Sequence, residues 1–329
     1  MIEHIAIVGL GSIGRRHLRL VREFRPGIKI TAVRSGGGEE VPEEKIADKI
    51  VYTMEDAIDA GIQATVIATP AIYHIRQATK LIEANIHVLV EKPLSHNMTD
   101  VDNFLEISKN SDVVGLVGYC LRYDPAAKQF KKLLNSKKIG QILCVDVDCG
   151  SYLPDWRPNQ DYRQSVSARK KLGGGVLLEL SHELDYIRWF FGCIDSVSAV
   201  LQNSGTLGID VEDNADLILK TVEGLSISVH LDFMSRNIRR TCIVKTSNGD
   251  LIWDATSKKV IWRRANSPEE VESFNYDKDE IYRQQLRHFF NCIEHAQTPT
   301  VTFEGGAAVL QMVEAAKKSN VMGKQVALA

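Results

Sequence analysis

Two side chains in this 329-residue sequence have the type and setting for proton and charge work. Lys92 follows a short apolar run at 87–90, inside the segment Glu91-Lys92-Pro93. A lysine at the carboxyl end of a buried strand can polarise a hydroxyl or carbonyl oxygen and stabilise negative charge there. The competing reading is an ordinary solvated lysine at a loop edge. His182 lies in an apolar stretch, 176–186, that follows Gly173-Gly174-Gly175. Imidazole titrates near neutrality, which suits general acid–base work, although a lone histidine is often structural. Glu179, His182 and Asp185 are three apart, so in one continuous helix they lie near one face. No His, Cys, Asp or Glu cluster has metal-ligand spacing, so no metal is expected.

A third constellation is built for binding. Gly9-Leu10-Gly11-Ser12-Ile13-Gly14 follows an apolar run at 5–8 and opens an amphipathic segment carrying Leu18, Val21 and Phe24 on one face. The spacing is that of a dinucleotide-binding turn: Gly9 for the tight turn, Gly11 for close approach of a pyrophosphate, Gly14 for helix–strand packing. The N–H groups of Ser12 and Ile13, at the helix start, face that pyrophosphate. About 20 residues on, where a dinucleotide ribose is read, stand Arg34-Ser35 and Gly36-Gly37-Gly38. An acidic residue there accepts from a free 2′-hydroxyl, whereas arginine and a hydroxyl suit a 2′-phosphate. The expectation is therefore NADP, with NAD as the alternative and a merely solvated Arg34 as the bland reading.

These residues need elements to hold them. Strand-like runs at 5–8, 28–33, 50–52, 65–68, 87–90 and 113–117 alternate with helical segments. Ile75, Ala78 and Ile82 mark one helix, and Thr53 with Asp56 fits the start of another. Short apolar strands between helices imply a doubly wound parallel sheet of the Rossmann kind, with ligands outside the strands' carboxyl ends. Two such ends run into Ala68-Thr69-Pro70, with His74 beyond, and into Glu91-Lys92-Pro93. A long polar segment, 153–172, carries Trp156, Arg157, Tyr162, Arg163 and Arg169, which read either as a phosphate- and ring-binding loop or as solvated surface. Strand patterns then run from 194 to 263, with a hairpin turn at Ser247-Asn248-Gly249-Asp250, and two helices follow, around 280–295 and 304–319. The division expected is a nucleotide-binding domain over 1–121 and an α+β domain over 122–329, the latter with a large, open, mostly antiparallel sheet.

Bulk composition excludes several classes. The formal net charge of -2 and the 25% of charged residues give no sign of nucleic acid or of an acidic membrane as partner. Six scattered cysteines contain no C-x-x-C pair, so reduced thiols in a cytoplasmic protein are expected. The first strand begins near Met1 without a basic leader, and no apolar run is long enough to span a bilayer.

Gly9 to Gly14, Ala68-Thr69-Pro70 and Glu91-Lys92-Pro93 together resemble the glucose–fructose oxidoreductase / inositol dehydrogenase / rhizopine-catabolism (Gfo/Idh/MocA) family over nearly the whole chain. The resemblance implies an NAD(P)-dependent oxidoreductase that moves hydride between nicotinamide and a carbon of a sugar or nucleotide sugar. It makes Lys92 the active-site lysine, His182 the catalytic histidine, and Asp185 or Glu179 its orienting acid. Thr69, Pro70, His74, Glu91 and Arg122 join the cofactor side. Tyr119, from the segment 118–125 that resembles the family's crossover, joins the substrate side with Lys92, His182 and the 153–172 loop.

One departure is visible: Glu179 stands where the family usually has aspartate, three residues before His182 where many members have four. The stretch 177–186 and the Trp156-Arg157 loop resemble members from polysaccharide and nonulosonic-acid gene clusters, which implies a nucleotide-sugar or amino-sugar substrate. In relatives the open sheet face joins subunits, so a homodimer or homotetramer through it is expected. Two alternatives within the family are an NAD-dependent glycosidase and a non-catalytic cofactor-binding regulator.

Overall fold

The alternation in the first third of the chain folds as a parallel sheet. The computed structural model describes residues 1–37 and 40–328; Gly38, last of the glycines after Ser35, lies outside the described residues. In chain order the elements are β1 His4–Val8, α1 Ser12–Phe24, β2 Lys29–Val33, β3 Lys49–Val51, α2 Met54–Asp59, β4 Ala64–Ile67, α3 His74–Glu83, β5 His87–Val90, α4 Val101–Lys109 and β6 Gly115–Val117. The strand order is β3-β2-β1-β4-β5-β6, every pairing parallel. The order reverses between β1 and β4, and ligands of such sheets bind beyond the carboxyl ends at that reversal. The helix starts follow local chemistry: Thr53 caps α2 by accepting from the N–H of Asp56 at 3.1 Å.

The chain continues with α5 Pro125–Leu134, β7 Ile142–Gly150, α6 Val176–Glu179, α7 His182–Phe191, β8 Ile194–Gln202, β9 Asn214–Thr221, β10 Ser226–Asp232, β11 Arg239–Thr246, β12 Gly249–Asp254, β13 Lys259–Arg263, β14 Glu270–Ser273, α8 Glu280–His295, α9 Phe303–Met322 and β15 Val326–Ala327. The second sheet has nine strands in the order β14-β13-β12-β11-β7-β10-β9-β8-β15. It is antiparallel except where β10 lies parallel to β7. The hairpin between β11 and β12 turns through Ser247 and Asn248, with Thr246 opposite Gly249. β14 escaped the sequence pattern because all four of its residues are exposed and carry no apolar alternation.

Two expectations are corrected. First, the chain does not divide once near residue 121. One compact unit takes Met1–Cys120 together with Lys278–Leu310, and the other takes Leu121–Asp277 with Gln311–Ala329. The cause is apolar: Leu286, Phe289 and Phe290 of α8 complete the cluster around Ile5, Ile7, Leu18 and Ile30. Second, the stretch 176–191 is not one helix. Leu180 leaves helical geometry (φ -97°, ψ 27°), so α6 ends after Glu179 and α7 restarts at His182. Glu179 and His182 therefore do not share a helix face.

Candidate active site

The glycine turn is built as the spacing requires. Gly9 has φ +88°, and a Cβ there would come within 2.9 Å of the Ala68 carbonyl oxygen. A Cβ on Gly14 would collide with the Gly9 carbonyl, so α1 can lie against the β1 and β4 ends only with glycine. A Cβ on Gly11 meets nothing within 4 Å. Open space beside the first turn of α1, lined by the N–H groups of Ser12 and Ile13, is the cradle a pyrophosphate needs. The residues present fit a dinucleotide.

Arg34 ends β2 but is not a solvated charge. It pairs with Glu44 at 2.8 Å, the two side chains being 12% and 10% exposed. Glu44 also accepts the N–H of Val41 at 2.9 Å, which fixes it over the strand end. Ser35 Oγ accepts from the Gly37 N–H at 3.4 Å.

At the β4 and β5 ends, His74, Thr69 and Glu91, expected on the cofactor side, each bond within the fold. His74 is fully buried and packs between two carbonyl oxygens, Nδ1 at 2.8 Å from Pro93 O and Nε2 at 2.8 Å from Thr69 O. A neutral ring has one N–H for two carbonyls, and a protonated ring would serve both. Burial nonetheless holds its pKa below the ordinary value, against the two carbonyls. Thr69 donates its hydroxyl to Gln77 at 2.7 Å, and Pro70 leads into a 3₁₀ turn over Ala71–Tyr73. Glu91 is buried, with one carboxylate oxygen 2.6 Å from His17 Nε2 and the other accepting the Lys92 N–H at 3.2 Å. Lys92 itself is half-buried, and its peptide bond to Pro93 is cis. Tyr119, expected on the substrate side, is fully buried among the core side chains.

In the second unit, Arg122 and Asp185 find each other. Arg122 donates from Nε and a terminal nitrogen to the two Asp185 oxygens, at 2.9 and 2.8 Å, and lies over the Trp189 ring at 5.6 Å. Burial pushes the Asp185 carboxyl up from its ordinary value, and Arg122 works against that shift. Asp185, expected to orient His182, and Arg122, expected on the cofactor side, are thus each other's counter-ions. Sequence reasoning also missed what fixes the start of α7. Glu183, fully buried next to His182, accepts from Arg240 Nε at 2.8 Å. Arg240 and Cys149 are cross-strand partners on β11 and β7, and burial pushes the Cys149 thiol up to about 12. No spacing connects 183 with 240; only sheet register does. Glu212 accepts the Leu177 N–H at 3.3 Å at the start of α6, and a side chain on Gly175 would strike its carboxylate.

The 153–172 segment is a chain of 3₁₀ turns over Leu153–Trp156, Tyr162–Gln164, Val166–Ala168 and Lys170–Leu172. Trp156 donates to Ser151 at 2.8 Å and stands edge-on to Phe233. Tyr162 donates to the Leu207 carbonyl at 2.9 Å, Arg163 pairs with Asp161 at 2.8 Å, and Arg169 donates to Gln164 at 2.9 Å. Arg157 and Arg163 are exposed.

Comparison with known proteins reads the same two-part plan. Residues 4–119 match the model of an oxidoreductase family with an NAD-binding Rossmann fold, and residues 127–252 match the GFO/IDH/MocA C-terminal domain. The chain belongs to the GFO/IDH/MocA oxidoreductase family. Among its relatives, myo-inositol 2-dehydrogenase of Thermotoga maritima is 25% identical over 96% of this chain and 95% of its own. Among solved structures, a levoglucosan dehydrogenase in complex with NADH and levoglucosan superposes with a TM-score of 0.87 at 19% identity, covering 99% of both chains. The WlbA dehydrogenase of Bordetella pertussis, in complex with NADH and UDP-GlcNAcA, superposes with a TM-score of 0.84 at 19% identity, covering 99% of this chain and 97% of its own. As a GFO/IDH/MocA protein the chain carries an NAD-binding Rossmann unit and an oxidoreductase's C-terminal sheet domain. Among the described residues no helix is long and apolar enough to cross a membrane.

Proposed function

We propose that this GFO/IDH/MocA oxidoreductase interconverts a hydroxyl and a carbonyl on a sugar or nucleotide sugar. The observation that carries the reading is Lys92, set just past β5 at the carboxyl edge of the sheet that bears the glycine cradle. The nicotinamide cofactor, held by Gly9, Gly11, Ser12, Ile13 and Gly14, supplies or accepts the hydride. The Lys92 ammonium holds the reacting oxygen and stabilises its negative charge. His182, at the first position of α7, exchanges the hydroxyl proton. Glu183 and Arg240 keep that helix start in place, and Asp185 with Arg122 anchors the next turn. The substrate class is supported by relatives whose names carry inositol, levoglucosan and a UDP-sugar acid. Within it we favour a nucleotide sugar or amino sugar, with Trp156, Arg157, Tyr162, Arg163 and Arg169 as its outer contacts.

For the cofactor we infer NAD rather than the NADP that Arg34 first suggests. The half-buried Glu44 carboxylate already balances Arg34, and a 2′-phosphate would have to displace it. We place the protein in the cytoplasm, where six unpaired cysteines are at home, four of them buried, including Cys149 and Cys242 in the sheet of the second unit. We also propose a homodimer or homotetramer through the outer face of the nine-stranded sheet. Ile243, Ile252, Ile261 and Val271 fall in one cross-strand row there. Sedimentation of Ile243→Asp as a monomer would support this, and an unchanged mass would refute it. The reading as a whole is tested by thermal shift with NADH plus a panel of polyols, sugars and nucleotide sugars, since only ligands of the native state raise the midpoint. A shift with NADH alone and with no member of the panel, together with no NADH oxidation by any keto-sugar, would overturn it.

A further inference from the structure

His17 was not among the residues whose spacing suggested chemistry. It lies on α1, three residues beyond Gly14, and its side chain is 0% exposed. Its Nε2 is 2.6 Å from Glu91 Oε1. Among the described residues its Nδ1 meets no hydrogen-bond partner. Placing the ring proton on Nε2 therefore leaves no buried N–H unpaired, and the ring donates to the carboxylate. A donor–acceptor distance this short is typical of a bond strengthened by charge.

The carboxylate that receives this bond has a fitted seat. A Cβ on Gly118 would stand 3.0 Å from Glu91 Oε2, so the glycine keeps that space clear. Tyr282 of α8 stands edge-on to the His17 ring, centroids 6.0 Å apart, and Arg16 lies over the same tyrosine ring at 4.6 Å. From its seat Glu91 accepts the Lys92 N–H. One residue further, the Pro93 carbonyl faces His74 Nδ1 at 2.8 Å. Lys92 thus stands between two residues, each tied to a buried histidine, one on α1 and one at the start of α3.

We propose that His17 is a positioning residue for Lys92, acting through the Glu91 carboxylate, and that it ties the lysine's turn to the helix that receives the cofactor's pyrophosphate. The inference rests on the reading of Lys92 as the group that holds the substrate oxygen. Without the His17 donor, Glu91 is a buried carboxylate short of a partner and turns toward other donors or water. The Lys92 backbone then loses its acceptor and its register at the strand end. Displacements of about 1 Å at a reacting group cost about 100-fold in rate, which sets the scale of the effect. Pyrophosphate contacts do not involve His17, so cofactor affinity stays as it is.

The test uses the full chain with His17→Leu, His17→Gln, Glu91→Gln and the double variant His17→Leu/Glu91→Gln, beside Lys92→Met. Glutamine can place an N–H where Nε2 stands, so His17→Gln is the rescue. Three quantities are read: NADH affinity by fluorescence, turnover of a keto-sugar accepted by the wild type, and acetylation of Lys92 by acetic anhydride, followed by mass spectrometry. The expected result is that His17→Leu lowers kcat about 10- to 100-fold with KM and NADH affinity within about twofold. Its Lys92 acetylation rate should depart from wild type, His17→Gln should recover most of both, and the double variant should be no worse than the poorer single. If His17→Leu does not fold, His17→Gln against Glu91→Gln and their combination carry the same comparison. Wild-type kcat and wild-type Lys92 acetylation in His17→Leu overturn the proposal, as does equal loss in the leucine and glutamine variants. Full turnover in Lys92→Met instead overturns the reading on which it rests, while the acetylation data still decide whether His17 sets the lysine's environment.

Discussion

The turn at Glu91-Lys92-Pro93 and the 153–172 segment both read as ligand contacts in the sequence, and they are built in opposite ways. On either side of Lys92 a buried residue is bonded to a distant part of the chain: Glu91 to His17 and Pro93 to His74. Along 153–172 the charged groups bond to near neighbours, Arg163 to Asp161 and Arg169 to Gln164, and much of the segment is exposed. Long-range buried bonds fix a side chain to a fraction of an ångström, which suits a group that must meet developing charge. Local bonds at the surface cost little to rearrange, which suits groups that adapt to the far end of a substrate.

That contrast can be broken by mutation. Lys92→Met and His182→Asn should each lower kcat by about 10²–10⁴, the scale of a positioned acid, base or charge-stabilising group, with NADH affinity unchanged. On the proposal that the two act in one step, the double variant should be little worse than the poorer single. Arg157→Ala and Arg163→Ala should raise KM and spare kcat. Steady-state kinetics on one accepted sugar checks all five proteins. A kcat loss in the arginine variants equal to that of Lys92→Met would erase the distinction between the two regions.

The next effect concerns stability. Arg122→Leu leaves Asp185 buried without its counter-ion and should cost about 3–5 kcal/mol, measured by urea denaturation. Arg163→Ala removes an exposed pair of the same type and should cost under about 1 kcal/mol. Similar losses in the two would mean that the Arg122–Asp185 pair is solvated.

Smaller changes are expected at the adenosine end. Glu44→Gln should strengthen NADP binding about ten- to a hundredfold relative to NAD, because it releases the Arg34 charge for a phosphate. Arg34→Asp should weaken NADP much more than NAD. Fluorescence titration with both reduced cofactors gives the ratio, and an unmoved ratio in both variants would remove this pair from cofactor choice.

The smallest effect is a pH dependence. Burial holds the His74 pKa below its ordinary value of about 6.5, opposed by the Thr69 and Pro93 carbonyls and the charge of Glu91, and aided by Lys92. The unfolded chain therefore binds a proton on this residue at a pH where the folded one does not. Stability is fully present above about pH 6.5 and declines as pH falls toward the folded value. His74→Gln should flatten that part of the slope relative to wild type in denaturation series from pH 7.5 to pH 5. Parallel curves would show that His74 titrates alike in the folded and unfolded chains.

The sequence disclosed those parts of the site that depend on short spacing. Gly9, Gly11 and Gly14 stand as their pattern requires, and the strand ends carrying Thr69 and Lys92 fall within a residue of where the apolar runs stop. What it concealed depends on contacts across the fold. Arg122 and Asp185 were each visible, but nothing in their separation of 63 residues shows that they satisfy each other. His17, Glu44 and Arg240 each meet a partner chosen by the tertiary fold or by sheet register. The helix break at Leu180 hides for a different reason, since Val176-Leu177-Leu178-Glu179-Leu180 has strong helical propensity and only the backbone turn at Leu180 interrupts it.

The return of Lys278–Leu310 to the first unit has a consequence for synthesis. A ribosome releases the nucleotide-binding segment long before it releases α8. Until Leu286, Phe289 and Phe290 emerge, the apolar wall formed by Ile5, Ile7, Leu18 and Ile30 has no cover from that side. The first unit to be translated is thus the one that must wait. Its nascent form exposes a sticky surface for the time needed to make about 160 further residues, roughly 8–30 s at about 5–20 residues per second. A chaperone that shields apolar surface has its natural window there, and a chain cut near residue 121 would hold that window open permanently.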